Sequence, residues 1–309
     1  MERVSNNSRV YEIVLHGFSN LQRFHVLLFA ILFIIYLLII SGNVVILLVI
    51  RKETALHSPM YFFIAVLSGL EIFYTACTIP QMLANVLVDE QKMSFNRCLV
   101  QAYFLHGFGA TECYILTIMA YDRYLAICKP LRYSAIMTNG QSANLVVICF
   151  IIGMLRPAIE ATIISLLTFC GSNHIENLFC DFPPLFLLAC SDTKKYIMVE
   201  FTVSSFIVVL TTAFIIFSYI RILSIILRIK SKDGRQKAFS TCGAHLIVVI
   251  LFFGSIGFMY IRVTKSYSVD YDRAVGLIYV VCTPLANPFI YGLRNEEIKK
   301  IIYKHLLMK

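Results

Sequence analysis

Two groups of residues in this sequence have types and spacing that could do chemistry. The first is an adjacent acid and base, Asp122-Arg123, where a long apolar run ends inside Met119-Ala-Tyr-Asp-Arg-Tyr-Leu-Ala-Ile-Cys-Lys-Pro-Leu-Arg-Tyr133. Charges at the margin of a hydrophobic segment are costly unless they pair or switch, so this pair predicts a releasable lock. Lys129-Pro130 stops the helix, because proline lacks an N–H and disfavours helical geometry in the residue before it. The second group is the ionisable residues within apolar runs, Glu71, Glu112, Arg156, Glu160 and Glu200. Glu112 precedes Asp122 by 10 residues, which at ~1.5 Å per helical residue places it ~15 Å deeper. Glu71 is also near the middle of its run. Two facing carboxylates cannot both stay ionised cheaply, so Glu71 and Glu112 read either as a sodium site or as protonated, hydrogen-bonded interior groups. Arg156 and Glu160 are four apart and can pair along one helix face. Glu200 lies near the outer end of its run, within reach of an interface.

The elements that must position these groups are apolar and long. Of 309 residues 59% are hydrophobic and only 15% charged, and the mean hydropathy is +0.77; such a chain belongs in a membrane. Its net charge of +9 falls between apolar runs and not on a soluble basic face, which argues against nucleic-acid binding. Seven runs appear, roughly Phe24–Ile50, Pro59–Val88, Cys98–Cys128, Ala143–Thr168, Tyr196–Leu227, Ala238–Ile261 and Ala274–Leu293. Each reaches the roughly 20 residues that a helix needs to span hydrocarbon. The expected fold is therefore an all-α membrane protein, a seven-transmembrane helix bundle. It comprises a tail over 1–23, a bundle over 24–293 and a terminal segment over 294–309. In that last segment Ile298, Ile301, Ile302, Leu306 and Leu307 share one face among Lys299, Lys300 and Lys304, a short amphipathic helix suited to an anionic cytoplasmic leaflet of membrane lipids.

Charge fixes the expected orientation. Segments 51–58, 129–142, 228–237 and 294–309 carry 14 bases against four acids, and the opposite side carries 10 bases against nine acids. The positive-inside rule then puts the N-terminus outside and the C-terminus in the cytoplasm of a multi-pass plasma-membrane protein. No cleaved signal peptide is apparent. Asn6-Asn7-Ser8 is an N-glycosylation sequon on the outer side, with Asn6 the acceptor. With no Trp present, 17 Tyr and the bases would anchor the interfaces. Six of the 10 Cys lie in or at the ends of apolar runs, where a thiol is a small buried hydrophobe. Cys98, Cys170, Cys180 and Cys190 lie on the outer side, where oxidation is feasible, and four cysteines allow three pairings. Gly42-Asn43, and Pro284 with Asn287-Pro288, place amides and freed carbonyls where they must bond across the bundle. They act either as packing glue or, at Asn287-Pro288, as a deformable point.

The strings Gly42-Asn43, Leu56-His-Ser-Pro-Met-Tyr-Phe-Phe63, Met119-Ala-Tyr-Asp-Arg-Tyr124, Ser218-Tyr219, Lys237-Ala-Phe-Ser-Thr-Cys-Gly-Ala-His-Leu246 and Pro284-Leu-Ala-Asn-Pro-Phe-Ile-Tyr291 occur in order over nearly the whole chain. In these the chain resembles the olfactory (odorant) receptor family of rhodopsin-like G-protein-coupled receptors. The resemblance implies bridges Cys98–Cys180 and Cys170–Cys190. It also implies a function: binding of a small neutral odorant and activation of a heterotrimeric stimulatory G protein that raises cyclic AMP. No cofactor is required beyond the possible sodium ion. The pocket positions it implies are Leu105, His106, Gly109, Ala110, Val203, Ser204, Ile207, Ile256, Gly257, Tyr260, Leu277 and Val280. Gly109 and Ala110 leave space, and His106, Ser204 and Tyr260 offer polar contacts, although a lone His on an apolar helix can equally be a satisfied core residue. With few charges at these positions, the ligand is expected to be neutral. At the inner end Asp122 would restrain Arg123 until release lets it meet the G protein near Tyr219 and Tyr291, with Lys129, Leu131 and Arg132 as further contacts and Asn287-Pro288 as a hinge. Two departures stand out: Glu71 where the family commonly has Asp, and Phe253 where it often has Tyr, a ring that packs but cannot donate a hydrogen bond. A transporter or channel relaying through Glu71, Glu112 and Glu200 is the alternative class, but the sequence lacks the paired broken helices of inverted repeats. An intramembrane enzyme finds no HExxH or Gly-x-Ser-x-Gly motif.

Overall fold

A computed structural model of the chain describes residues 12–17, 24–88, 90–170, 173–260, 269–294 and 296–307. The Asn6 sequon lies outside them, as does the side chain of Tyr260. Among the described residues ten α-helices dominate: α1 (His25–Lys52), α2 (Pro59–Leu87), α3 (Phe95–Cys128), α4 (Pro130–Ile136), α5 (Asn139–Leu166), α6 (Phe182–Leu187), α7 (Lys194–Ile226), α8 (Lys232–Tyr260), α9 (Val269–Arg294) and α10 (Glu296–Leu307). Four of them, α1, α2, α5 and α7, are long and apolar enough to cross a membrane. The lipid-type surface is visible on α1. It buries one stripe, Leu32, Ile39, Asn43, Ile46 and Ile50, while Val26, Leu27, Ile34, Leu37 and Leu48 stay exposed. Apolar faces of that extent require a non-aqueous surrounding. α3 is less apolar because it is central: it packs on α2, α5, α7 and α8 and buries polar Gln101, Thr111, Glu112 and Asp122 along its length.

Local signals set the helix ends. Ser94 Oγ and Thr138 Oγ1 accept hydrogen bonds from the third residues of α3 and α5, Arg97 and Gln141, ordinary N-caps. Pro130 ends α3 as expected but also opens α4, where a missing N–H costs nothing. The basic segment before the sixth apolar run is helical, since α8 already begins at Lys232. α5 meets α3 closely because a Cβ on Gly153 would strike Thr111. A Cβ on Gly42 of α1 would sit 2.9 Å from the Pro288 ring of α9. The apolar side of α10 docks on protein, with Ile298 fully buried in the inner core alongside Ile301 and Ile302, and Lys299, Lys300 and Lys304 exposed.

The all-α expectation needs one correction. Part of the expected N-terminal tail is a strand, β1 (Glu12–His16), which pairs antiparallel with β2 (Glu90–Ser94) and parallel with β3 (His174–Ile175). Alternation puts Ile13, Leu15, Met93 and Ile175 on the inner side, where they join Cys98, Ala102, Ile164, Cys180, Phe182 and Phe186 in one buried cluster. The sheet thus caps one end of the bundle. Disulfides Cys98–Cys180 and Cys170–Cys190 fasten the segment between α5 and α7 beneath it.

Candidate functional site

Below this cap lies a cavity of about 130 Å³ between α3, α5, α7 and α8. Among the expected pocket residues, Leu105, His106, Gly109, Ala110, Ser204, Ile207 and Ile256 line it. Val203 does not: one residue from Ser204, it is turned outward and 42% exposed. Leu277 and Val280 pack with Leu105 and Phe179 in an adjoining apolar cluster, and Gly257 stands off the cavity wall beside open space. Phe253 is buried against Phe252, rings edge to face at 5.2 Å.

The walls also contain charges that the sequence reading did not place there. Arg156 of α5 pairs with Glu160 one turn on, at 2.8 Å, and across to Glu200 of α7. Glu200 therefore faces the bundle, correcting its expected position at the interface, and it also accepts a hydrogen bond from Ser204 at 3.2 Å. His106 donates to Asp181 Oδ1 at 2.6 Å, and its ring lies 4.7 Å from that of Phe182. Asp181 in turn accepts from the backbone N–H of Phe182 and caps α6. His106 is thus both a satisfied histidine and a cavity wall. Cys113, Tyr114, Ile152, Phe179 and Val208 complete the lining. The one available signal for the charged walls was the set of intramembrane ionisable residues already singled out; the partners were hidden because they lie 44 and 75 residues away in sequence.

Deeper, Glu71 of α2, Glu112 of α3 and Asn287 of α9 converge. Asn287 Nδ2 donates to Glu71 Oε1 at 2.5 Å, and the Glu112 carboxyl lies beside that of Glu71. All three are buried. Glu71 Oε2, Glu112 Oε1 and Asn287 Oδ1 have no hydrogen-bond partner.

At the far end Arg123 holds Asp122 Oδ2 through both Nε, at 3.0 Å, and Nη2, at 2.5 Å. Tyr133 of α4 donates to Asp122 Oδ1 at 2.8 Å. Burial, and then the neighbouring Asp122 carboxylate, push the Tyr133 hydroxyl above its usual range, so it stays a donor. Next to this lock is a bridge the sequence reading missed. His245 of α8 is fully buried; its Nε2 donates to the Leu116 carbonyl of α3 at 3.1 Å, and its Nδ1 faces the Tyr219 hydroxyl of α7 at 2.6 Å. A carbonyl only accepts, so Nε2 carries the ring proton and Nδ1 takes the one from Tyr219. Tyr291 is buried in the same core, and Pro288 beside Asn287 lies inside α9, which stays helical through it. On the surface Leu131 is 97% exposed, Arg132 is exposed, and Lys129 lies over the Tyr124 ring.

Residues 32–309 match the sequence family described as "Olfactory receptor". The chain is 48% identical over 301 residues to human "Olfactory receptor 6N1", covering 97% of this chain and 96% of that protein. It is 46% identical over 303 residues to human "Olfactory receptor 6K2", covering 97% and 93%. Against "Olfactory receptor 5AP2" of Mus musculus the identity is 42% over 301 residues, covering 97% and 95%.

Proposed function

The chain belongs to the olfactory receptor family, multi-pass membrane G-protein-coupled receptors for odorants and not enzymes, and from that premise we propose how this member works. It takes a small neutral odorant into the cavity between α3, α5, α7 and α8 and activates a stimulatory G protein at the Asp122–Arg123 end, raising cyclic AMP. The observation that carries the ligand assignment is a small cavity whose charges are already paired within its walls, Arg156 with Glu160 and Glu200, and His106 with Asp181. A neutral guest leaves those pairs intact, and a charged one would have to break them. The volume is close to that of an engineered protein cavity of about 150 Å³ that admits benzene, which favours a compact ring-sized molecule with one hydrogen-bonding group for Ser204 or His106.

In this reading α1, α2, α3, α5, α7, α8 and α9 are the seven spans, the sheet and Asn6 are extracellular, and α10 lies on the cytoplasmic leaflet. The excess of bases over acids on the α4 and α10 side supports that orientation. The ligand acts only through a higher affinity for one of two states, here one in which the inner end of α8 moves away from α3. That movement separates His245 from Leu116 and opens a path for the G-protein tail to Arg123, for which it competes with Asp122. Leu131, an apolar side chain held out by α4, and Arg132 are further contacts. The donor set of Glu71, Glu112 and Asn287 fits a hard cation, because three buried oxygens from three helices lack partners and all ligands are oxygen. Sodium held there would supply the counter-charge that lets the paired carboxylates ionise, and Glu71 and Asn287 would tie α2 to α9 around it.

A panel of neutral, cationic and anionic volatiles, screened in receptor-expressing cells by cyclic AMP readout, tests the proposal. Responses confined to compact neutral molecules, and lost on widening Gly109 to Leu at normal surface expression, are expected. Activation by charged ligands alone, or potency unchanged by Gly109→Leu, would sink the cavity assignment.

A further inference from the structure

The outer face of the three-stranded cap presents a second arrangement of ligating side chains, away from the odorant cavity. Strand register alone brings it about. Glu90 of β2 is the cross-strand partner of His16, and His174 of β3 is the partner of Val14, two residues before His16. Side chains two apart on a strand share a face, and directly or diagonally opposed residues on adjacent strands are within reach. His16, Glu90 and His174 therefore converge on the side opposite Ile13, Leu15, Met93 and Ile175. Their ligand atoms all lie within 4.8 Å of one another. His16 Nε2 and His174 Nδ1 are 2.5 Å apart, and the two rings are within 22° of parallel with centroids 4.8 Å apart. That separation with facing nitrogens means the rings meet edge to edge. Glu90 Oε1 lies 4.0 Å from His16 Nδ1, the nitrogen next to the one that faces His174, so the carboxylate swings toward Nε2 to share an ion with both rings. Glu90 and His174 are exposed and His16 half-buried, so an ion can enter from solvent. Among the described strand residues, Lys92, opposite Val14, adds a Lys side chain to this face.

We infer that His16, His174 and Glu90 form a zinc site that clamps the N-terminal strand to the segment between α5 and α7. Two imidazoles and a carboxylate are an established zinc donor set, with bonds of about 2.0–2.2 Å and a fourth position open to water. Tetrahedral geometry sets ligand nitrogens ~3.3 Å apart, so the rings must part by less than an ångström, a rotation that surface side chains can make. Zinc replaces the proton now shared between the facing nitrogens, and that proton goes to solvent. The imidazole pair already lies across two strands 158 residues apart in sequence, so metal binding adds to a long-range contact otherwise held by strand hydrogen bonds and the apolar inner face. β3 leads directly into Phe179, Cys180 and Asp181. Phe179 and Asp181 line the cavity, and Cys180 is bridged to α3. Zinc on the cap therefore holds the lid of the odorant cavity in place, and by linkage it stabilises the folded receptor.

Thermal melting of the purified full-length receptor in lipid nanodiscs, with zinc chloride titrated in and then removed by EDTA, tests the site without needing an odorant. A saturable, EDTA-reversible rise in melting temperature is expected in the native protein and is absent from His16→Gln/His174→Gln. In EDTA that variant should melt with the native receptor, since both rings lie on the solvent side. The Glu90→Gln variant should keep the rise but need about tenfold more zinc, as one of three ligands loses its charge. Cobalt(II) added in place of zinc should give tetrahedral visible absorption that the Glu90→Gln variant weakens, a readout that survives if the double variant fails to fold. No rise in the native receptor overturns the inference. So does a rise that persists in the double variant, which would move the metal to His106, Glu160 and Glu200, the other cluster of this kind among the described residues.

Discussion

The outer charged cluster ties separate parts of the bundle together, whereas the inner one closes on itself. Arg156 of α5 reaches Glu200 of α7, and His106 of α3 reaches Asp181 beneath the cap. Asp122 and Arg123 are neighbours in one helix, and their extra bond goes only to Tyr133 on the adjoining α4. No carboxylate of α7 or α8 pairs with Arg123 among the described residues. Breaking an outer pair therefore unties separate elements; breaking the inner pair unties none, and the fully buried Asp122 carboxylate keeps the Tyr133 hydroxyl as a donor. On the proposed function the outer cluster holds shape and the inner one is the part that releases.

The largest consequence falls on Arg156. Its loss leaves Glu160 and Glu200 facing each other in a low-dielectric wall, and removing one partner of a buried pair costs roughly 3 kcal/mol or more. The Arg156→Met receptor should largely fail to reach the cell surface, measured by antibody staining of intact cells. Adding Glu200→Gln should restore part of that signal, because the stranded charge is then gone. Normal surface levels of Arg156→Met would mean the outer cluster is not structural.

Arg123→Ala should behave in the opposite way, reaching the surface at near-native levels while ligand-evoked cyclic AMP disappears. Asp122→Asn should raise basal cyclic AMP severalfold, since the restraint loses its charge. Loss of expression in both would erase the contrast with Arg156. A smaller effect belongs to Tyr219→Phe, which keeps the ring but removes the hydroxyl facing His245. One net hydrogen bond is ~1 kcal/mol, so the maximal response should change about fivefold with little change in expression. An unchanged response would separate the α3–α7–α8 bridge from signalling.

Much of the bundle was legible in the sequence because a membrane span is a local property. Apolar runs of sufficient length and the margin charges Asp122-Arg123 need no knowledge of distant residues. Where the reading failed, it failed on partners far along the chain. Glu200 looked interfacial because it lies near the outer end of its run, and its partner Arg156 is 44 residues back. Val203 was assigned to the pocket beside Ser204, yet one residue along a helix is a 100° turn, enough to move a side chain from cavity to outer surface. The Glu12–His16 strand carries too short a pattern to announce itself, and its partners come from two other connections. His245 was inside a quoted motif, but only the packing of α8 on α3 and α7 reveals what its two nitrogens bond.

Tyr133 gives the finest test of self-closure at the inner end. Its hydroxyl satisfies the Asp122 oxygen opposite the one held by Arg123, so Tyr133→Phe leaves the ion pair and removes only a third support. The effect on basal cyclic AMP should be an increase of about threefold, less than Asp122→Asn, because this hydrogen bond to a carboxylate is partly wet and falls well short of the ~1.5–3 kcal/mol of a buried charge-assisted bond. Burial and the Asp122 carboxylate raise the hydroxyl above its ordinary value, so the donor keeps its proton well beyond neutrality. The native basal signal should therefore show no Tyr133-dependent change between about pH 6 and 8: the native-to-variant ratio stays flat across that range. A ratio that drifted with pH, or a Tyr133→Phe effect as large as that of Asp122→Asn, would mean that α4 takes a full share in the lock and that the inner cluster, like the outer one, depends on a second helix.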